Sequence, residues 1–234
     1  MVKITATLLA VSAALTPVLA VVRVMPLGDS VTAGGCWRQK LYQKIVAGGI
    51  TANDFKFVGS QGSLFPCTGT YDKANEGHVG WEMSQIPSAL PGFLKTAAPV
   101  DVVMMLMGTN DVWRSRAVDK SMAYYAKSLE EMKAAKVKEL VVAKIPLCNK
   151  GGCESYTPKY NAALADWAAK ANSPELKVTV ADCYKDKKFG PPDNAFNPAK
   201  DAQDGVHPNE STGAQKLVDC FYEPVVAAIK AAKK

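Results

Sequence analysis

The sequence lacks the patterns on which most metal, nucleotide and nucleic-acid sites depend. It holds two histidines in 234 residues, and its six cysteines form no Cys-x-x-Cys pair, so a zinc site is not expected. It has neither a phosphate loop nor the Gly-x-Gly-x-x-Gly spacing of a dinucleotide site. Its 28 Lys and Arg against 22 Asp and Glu give a net charge of +6 that is spread along the chain. We therefore expect no metal, no cofactor and no nucleic-acid partner.

Long apolar runs are also rare, and one of them opens the chain. Residues 4–20 are mostly apolar, follow Lys3 and end in Val-Leu-Ala. A basic start, a short apolar segment and small final residues are typical of a secretory signal peptide. A membrane anchor is the alternative, but the segment is short, carries hydroxyl side chains and has no cluster of basic residues close behind it. We predict a signal peptide over 1–20, one domain over 21–234, and a secreted protein with no membrane partner.

The six cysteines agree with secretion, because an even number in an extracellular chain indicates disulfide bonds. Cys148 and Cys153 enclose a short loop with two glycines and form the easiest bridge. Six cysteines can pair in many ways, and for the other four we favour neighbours along the chain. These pairs are Cys36–Cys67 and Cys183–Cys220. The alternative is a set of buried free thiols.

Apolar β-branched runs alternate with segments of helical spacing, and 48% hydrophobic content is enough for one core. Strands are predicted at 21–27, 55–58, 101–107, 139–145 and 176–182. Helices are predicted at 37–47, 85–96, 120–136, 158–171 and from about 209 onwards, and Pro87 and Pro91 should shorten or break the second of these. Residues 61–80 and 185–208 read as irregular. The alternation predicts one α/β domain, a three-layer α/β/α sandwich with a central parallel five-stranded sheet.

Four short segments carry the residue types that chemistry needs, and most of them come at strand or helix ends. They are residues 28–34 (Gly-Asp-Ser-Val-Thr-Ala-Gly), 76–81 (Glu-Gly-His-Val-Gly-Trp), 108–111 (Gly-Thr-Asn-Asp) and 204–209 (Asp-Gly-Val-His-Pro-Asn). In parallel sheets the functional site lies beyond the carboxyl ends of the strands. We therefore expect these segments to meet there.

The hydroxyl of Ser30 is unreactive unless a base removes its proton. His207 can be that base, and Asp204 lies three residues before it, close enough in one turn to hold the imidazole. The alternative is that Ser30 caps a helix, Asp204 closes a turn and His207 caps the last helix. No Gly-x-Ser-x-Gly occurs, so the nucleophile elbow of an α/β-hydrolase is absent.

Taken in order, the four segments resemble the conserved blocks of the SGNH hydrolases, also called GDSL esterases, from Val22 to the final helix. The resemblance implies a flavodoxin-like SGNH fold and the catalytic residues Ser30, Asp204 and His207. It also implies an oxyanion hole made by the backbone N–H groups of Ser30 and Gly80 and the side-chain amide of Asn110. The Glu-Gly-His-x-Gly-Trp string, residues 55–60 (Phe-Lys-Phe-Val-Gly-Ser) and residues 36–38 (Cys-Trp-Arg) are similar to carbohydrate esterase family three, the acetylxylan esterases.

Other residues in these segments have a structural and a functional interpretation. Asp29 and Asp111 should bond loop amides, and His78 should support its loop. Trp81 and Trp37 could form a wall on which a sugar stacks, although packing in the core explains them equally well.

Two further features lie near the segments. Asn209-Glu210-Ser211 is a glycosylation sequon, but we favour a helix-capping role for Asn209, because a glycan so close to His207 would crowd the site. Arg114 and Arg116 are expected to be solvated.

The favoured function is a secreted serine esterase that hydrolyses O-acetyl esters of plant cell-wall polysaccharide, with acetylxylan as the expected substrate and no cofactor. The nearest alternative is the same chemistry on a pectic acetyl group, a small acyl ester or a lipid. A non-catalytic glycan-binding protein is the alternative from another class. We expect a monomer.

Overall fold

A computed structural model describes residues 20–184 and 195–233. The strands are β1 (Val22–Gly28), β2 (Phe55–Phe57), β3 (Glu76–Gly77), β4 (Val102–Leu106), β5 (Glu139–Lys144) and β6 (Lys177–Asp182). They form a parallel sheet, as the sequence predicts, and the strand order is β2-β1-β4-β5-β6. The sheet has six strands and not the five predicted, because the two-residue strand β3, in a stretch expected to be irregular, pairs with the end of β1.

The burial of the strands explains their sequences. All five residues of β4 are buried, because both faces of this central strand are covered by helices. Strand β6 alternates exposed and partly buried residues over most of its length, as expected at the edge of the sheet. The continuous apolar run and the alternating run therefore mark the centre and the edge.

Helices cover the sheet in two layers. Helix α8 packs on α2 and lies along β1, β4, β5 and β6, whereas α3, α5 and α6 pack side by side. The helices are α1 (Ser30–Ala33), α2 (Trp37–Ala47), α3 (Ile86–Thr96), α4 (Thr109–Trp113), α5 (Val118–Ala134), α6 (Cys153–Ala171), α7 (Pro198–Asp201) and α8 (Thr212–Ala232), and a 3₁₀ turn at Met83–Gln85 precedes α3.

The prolines do not break the helices as the sequence suggested. Helix α3 is continuous because Pro87 lies in its first turn, where its missing N–H costs little, and Pro91 lies on the exposed side. Helix α6 starts at Cys153, before Pro158, since its first turn bonds to the carbonyl of Gly152.

Two predictions near the C-terminus also need correction. The last helix begins at Thr212, not near Asn209. The stretch expected to be irregular contains the short helix α7, and its residues 185–194 lie outside the described part of the chain. The predicted signal peptide is likewise outside it, apart from Ala20.

Three disulfide bonds join the pairs favoured from the sequence. The Cα–Cα distances are 5.5 Å for Cys36–Cys67, 5.3 Å for Cys148–Cys153 and 5.1 Å for Cys183–Cys220, all within the usual range for a disulfide. Over the described residues, we find no helix both long enough and apolar enough to cross a bilayer.

Candidate active site

Ser30 lies where β1 ends and the short helix α1 begins. Asp29 caps this helix, since its Oδ1 accepts a hydrogen bond of 2.9 Å from the N–H of Val31. Glycine is needed at position 28, because a Cβ there would lie 2.1 Å from Oγ1 of Thr32 and 2.2 Å from the carbonyl oxygen of Leu106. The chain can therefore turn sharply and present Ser30 at the edge of the sheet.

His207 reaches Ser30 from the loop before α8. Its Nε2 lies 2.9 Å from Oγ of Ser30, and its Nδ1 lies 2.7 Å from Oδ2 of Asp204. Ser30 and His207 are 177 residues apart in the chain. The three side chains form one continuous chain of hydrogen bonds, which is the arrangement that a serine nucleophile, a base and an orienting carboxylate require.

The turn from Asp204 to His207 is fixed by its own side chain. Oδ1 of Asp204 accepts the N–H groups of Val206 and His207 at 3.0 and 2.8 Å. Partial burial raises the pKa of Asp204, but hydrogen bonds from the His207 ring and from these two N–H groups outweigh it and lower the pKa to about 2. Asp204 is therefore ionised at any pH near neutrality.

A disulfide loop supports this turn from outside. Gly205 has a φ of +87°, and a Cβ there would lie 1.9 Å from Oδ1 of Asn149. The N–H of Asn149 also donates to the carbonyl of Gly205 at 3.0 Å. Asn149 belongs to the loop closed by Cys148 and Cys153, so this bridge holds the support in place.

Gly80 and Asn110 lie on neighbouring segments beside Ser30. Gly80 has a φ of +79° in a turn closed by the N–H of Trp81 and the carbonyl of His78, which suits the third position of a type II turn. Nδ2 of Asn110 donates one hydrogen bond of 2.9 Å to the carbonyl of Trp81, and an amide has a second N–H to offer. Their roles as oxyanion donors stay a prediction.

Two arginines just after helix α4 hold the Gly80 turn, and sequence reasoning missed their contacts. Arg114 donates to the carbonyl of Gly80 at 3.2 Å and to Oε1 of Glu82 at 2.9 Å. Arg116 donates to both carboxylate oxygens of Glu82, at 2.9 and 3.0 Å. The hydrogen bond from Arg116 is the largest influence on the pKa of Glu82 and lowers it. Both arginines are exposed, as expected, and their pairing with Glu82 is a contact that the sequence did not suggest.

Asp29 and Asp111 have the structural contacts that the sequence suggested. Asp111 accepts the N–H of Met83 at 2.9 Å and the hydroxyl of Ser121 at 2.7 Å, which ties α4 to the 3₁₀ turn and to α5. Burial raises the pKa of Asp111. The side chain of Asp29 is fully buried, and burial, opposed by the hydrogen bond from Val31, raises its pKa to about 6.

His78 supports its loop from a stacked position. Its ring stacks on those of Trp81 and Phe93, with centroids 4.2 and 4.8 Å away. Its Nε2 lies 3.0 Å from Oε2 of the buried Glu76, which also accepts the N–H of Ser60 at 2.5 Å. The contacts of this histidine all serve the loop that carries Gly80.

Both tryptophans pack on other rings. Trp37 is 2% exposed, stacks on Phe221 with centroids 5.3 Å apart, and donates its Nε1–H to the carbonyl of Val31. Packing in the core therefore explains Trp37. Trp81 is partly buried, stacks on His78 and does not line the cavity beside Ser30. A sugar-stacking role for the two residues stays a prediction.

A cavity of about 350 Å³ opens beside Ser30 and His207. Its lining is mainly apolar and includes three exposed side chains that sequence reasoning did not select: Leu64, Phe65 and Val79. The only signal of Leu64 and Phe65 in the sequence is an apolar pair within a loop rich in Gly and Ser, whereas Val79 belongs to the segment 76–81. Trp37 contributes an edge to the same cavity.

Asn209 acts in the turn before α8. Its Oδ1 accepts the N–H groups of Thr212 and Gly213 at 2.9 and 3.0 Å, and its Nδ2 donates to the carbonyl of Lys200 at 2.7 Å. These contacts support the capping interpretation over the glycosylation sequon, although Ser211 is the residue directly before the helix.

Within the ranges 20–184 and 195–233, no group of three or more His, Cys, Asp or Glu side chains could hold a metal ion.

Comparison with known proteins agrees with this geometry. The model of the GDSL-like lipase/acylhydrolase family matches residues 27–213. The chain belongs to this family. Among solved structures, a carbohydrate esterase family 3 protein from Talaromyces cellulolyticus is 31% identical, with a TM-score of 0.79 and coverage of 90% of this chain and 99% of that one. An acetyl esterase with a serine-to-alanine substitution and an acetate ion gives the same values.

Two bacterial relatives extend the comparison. A family 3 carbohydrate esterase from Clostridium thermocellum is 26% identical, with a TM-score of 0.72 and coverage of 92% of this chain and 100% of that one. A multidomain esterase from Ruminococcus flavefaciens is 25% identical over 240 residues, which cover 90% of this chain and 29% of that protein. The chain thus spans less than a third of this relative's length. The family and these neighbours establish an ester hydrolase with the SGNH fold.

Proposed function

We propose that this GDSL-family hydrolase is a secreted serine esterase that removes O-acetyl groups from plant cell-wall polysaccharide, with acetylxylan as its substrate. The observation that carries the proposal is the chain of contacts from Asp204 through His207 to Ser30, at 2.7 and 2.9 Å, beside an open cavity. The similarity to family 3 carbohydrate esterases and to an acetyl esterase supports the acetyl and carbohydrate parts.

The proposed reaction has two halves. Oγ of Ser30 attacks the acetyl carbonyl while Nε2 of His207 takes its proton, and the protonated ring then gives that proton to the sugar oxygen as the ester bond breaks. Water attacks the resulting acetyl-serine while His207 takes one of its protons, and the protonated ring returns this proton to Oγ of Ser30 as acetic acid leaves. Asp204 holds the ring and stabilises its charged form throughout. The N–H groups of Ser30 and Gly80 and the amide of Asn110 stabilise the oxyanion in both halves.

Secretion belongs to the same proposal. Residues 1–20 act as the signal peptide, and 21–234 form the catalytic domain. The three disulfide bonds support this assignment, because such bonds persist in oxidising compartments. N-terminal sequencing of the protein recovered from the medium of an expressing cell tests it, with Val21 expected as the first residue.

A fluorophosphonate label and a panel of substrates test the enzyme assignment. We expect the label on Ser30 in the wild type and its absence in Ser30→Ala. Acetate release from acetylated xylan, pectin and small acyl esters, measured for both proteins with and without EDTA, then ranks the substrates. A wild type that takes no label and releases no acid from any ester would leave the non-catalytic glycan-binding alternative.

A further inference from the structure

Exposed apolar side chains gather around the cavity that Ser30 shares. Large exposed hydrophobics are few among the described residues, and three of them, Leu64, Phe65 and Val79, line this one cavity at 60%, 49% and 65% exposure. Single exposed apolar residues are common on protein surfaces, but a cluster at one concave site usually marks a contact with a ligand. We call these three residues the apolar rim.

The position of Phe65 in the rim is fixed by its surroundings. Its carbonyl accepts the N–H of Cys67 at 2.9 Å and the hydroxyl of Ser63 at 2.8 Å, and the bond from Cys67 to Cys36 ties the loop to the start of α2. A Cβ at Gly34 would lie 3.2 Å from Cε2 of Phe65. The last glycine of the serine segment therefore leaves room for this ring next to α1.

The size and the lining of the cavity indicate what the rim holds. An acetyl group is a few atoms in size and fills only a small part of about 350 Å³, so the rest of the cavity must receive the alcohol part of the ester. Gln203 and Glu210 add polar side chains to the otherwise apolar lining. A sugar ring has a C–H face that packs on apolar and aromatic groups, and it has hydroxyls that need polar partners. An acyl chain has no groups that would bond to polar side chains.

We propose that the apolar rim is the subsite for the sugar ring that carries the acetyl group, with the ring of Phe65 stacked on the C–H face of that sugar. The proposal rests on the acetyl-polysaccharide esterase function given above and names the surface that selects its substrate. Gln203 and Glu210 face the hydroxyls from the same cavity. The disulfide between Cys36 and Cys67 keeps the rim in place without contact with the reacting atoms.

The test compares Phe65→Ala with the wild type on two acetyl esters, acetylated xylo-oligosaccharides and ethyl acetate. We expect kcat/KM for the oligosaccharides to fall about three- to tenfold, mainly through KM, because a stacked aromatic contact is lost. The change in kcat/KM for ethyl acetate, which has no sugar ring, should be much smaller than the change for the oligosaccharides. Phe65→Tyr should restore the oligosaccharide value, since it keeps the ring.

Two more variants make the test independent of folding. Leu64→Ala removes another part of the rim and should raise KM for the oligosaccharides in the same way. Val46→Ala changes an exposed apolar residue that does not line the cavity, so it should change KM for neither ester. Equal kinetics of Phe65→Ala and wild type on both esters would overturn the sugar subsite but leave the proposed esterase function in place. Ethyl butyrate is measured as a third substrate, and a loss of activity confined to it would show that the rim binds acyl chains and would overturn the sugar subsite as well. A wild type inactive on every acetyl ester would instead refute the proposed function on which the rim rests.

Discussion

The two histidines of the chain make the same kind of contact in two regions of the molecule. His78 lies 3.0 Å from a carboxylate oxygen of Glu76, and His207 lies 2.7 Å from one of Asp204. The first pair joins residues on one strand and its following turn, and the second joins residues in one tight turn. Judged by this contact alone, either histidine could be an oriented base.

Their other surroundings differ. The ring of His78 stacks on the rings of Trp81 and Phe93, and its Nε2 is held by the buried carboxylate of Glu76. The ring of His207 keeps its second nitrogen 2.9 Å from Oγ of Ser30. The difference shows that a histidine–carboxylate pair is a possible base only where its remaining nitrogen faces a nucleophile.

The largest expected effect comes from replacing each of the two histidines with alanine in turn. His207→Ala should lower kcat on a small acetyl ester by roughly 10⁴-fold or more, because the serine then has no base. His78→Ala should mainly lower the melting temperature, because it removes the ring that stacks on Trp81 and Phe93 and a partner of buried Glu76. Steady-state kinetics and a thermal melt on both variants measure the contrast. Equal losses of kcat would mean that His78 also takes part in the chemistry.

The next largest effect concerns Asn110, whose side chain donates a hydrogen bond to the carbonyl of Trp81, close to His78. Its second amide N–H should donate to the oxyanion and less to the ground-state carbonyl. Asn110→Ala should therefore lower kcat on the order of 10²–10³-fold with KM little changed, and Asn110→Asp should be slower still. If the residue only ties down its loop, both variants will melt lower and also lose substrate affinity. Kinetics beside a melting curve distinguishes the two.

A smaller effect should come from Arg114, which acts on the oxyanion side through Gly80. Arg114→Met removes the bond to the Gly80 carbonyl and should lower kcat by about tenfold, as expected when a positioned donor shifts slightly, with KM unchanged. Arg116→Met is the matched control, because Arg116 bonds Glu82 at 2.9 Å but does not contact Gly80. Arg114→Lys should recover part of the rate. Identical kinetics in the two Met variants would assign both arginines to surface pairing alone.

The smallest effect concerns how the free energy of unfolding depends on pH, where Asp29 and Asp204 should act in opposite directions. The pKa of Asp29 is about 6 in the fold against 3.8 for a free side chain, so the native state binds more protons than the unfolded chain between these values. Its ionisation should reduce the free energy of unfolding, by up to roughly 3 kcal/mol, as pH rises from about 4 to about 6. Asp29→Asn keeps a capping oxygen and should flatten this fall. Asp204, with a pKa near 2, acts in the opposite direction and only as pH falls below about 4.

Urea unfolding of the wild type and Asp29→Asn at several pH values between 4 and 7 measures the effect. The difference between the two proteins isolates one carboxyl from all others. Parallel stability curves would mean that Asp29 titrates as an ordinary exposed aspartate.

Much of the fold follows from local sequence patterns. The apolar run that became β4 and the helical spacing that became α2 were predicted to within one or two residues, because burial on both faces and a 3.6-residue period leave direct traces in the chain. The prolines of α3 and α6 were misjudged, because the cost of a proline depends on its position in the first turns and on its exposure.

By itself the sequence determined the order of the four segments, the places of two of them directly after predicted strands, and the hypothesis that Ser30, Asp204 and His207 act together. Segments that follow parallel strands come together because the carboxyl ends of these strands meet at one edge. Only the tertiary structure decided which residues surround them: that Phe65 lies against Gly34, that Arg114 reaches Gly80, 34 residues away, and that Trp37 is buried against Phe221. Such contacts join loops without periodicity, so their geometry is set by how the whole chain packs and leaves no local pattern to read.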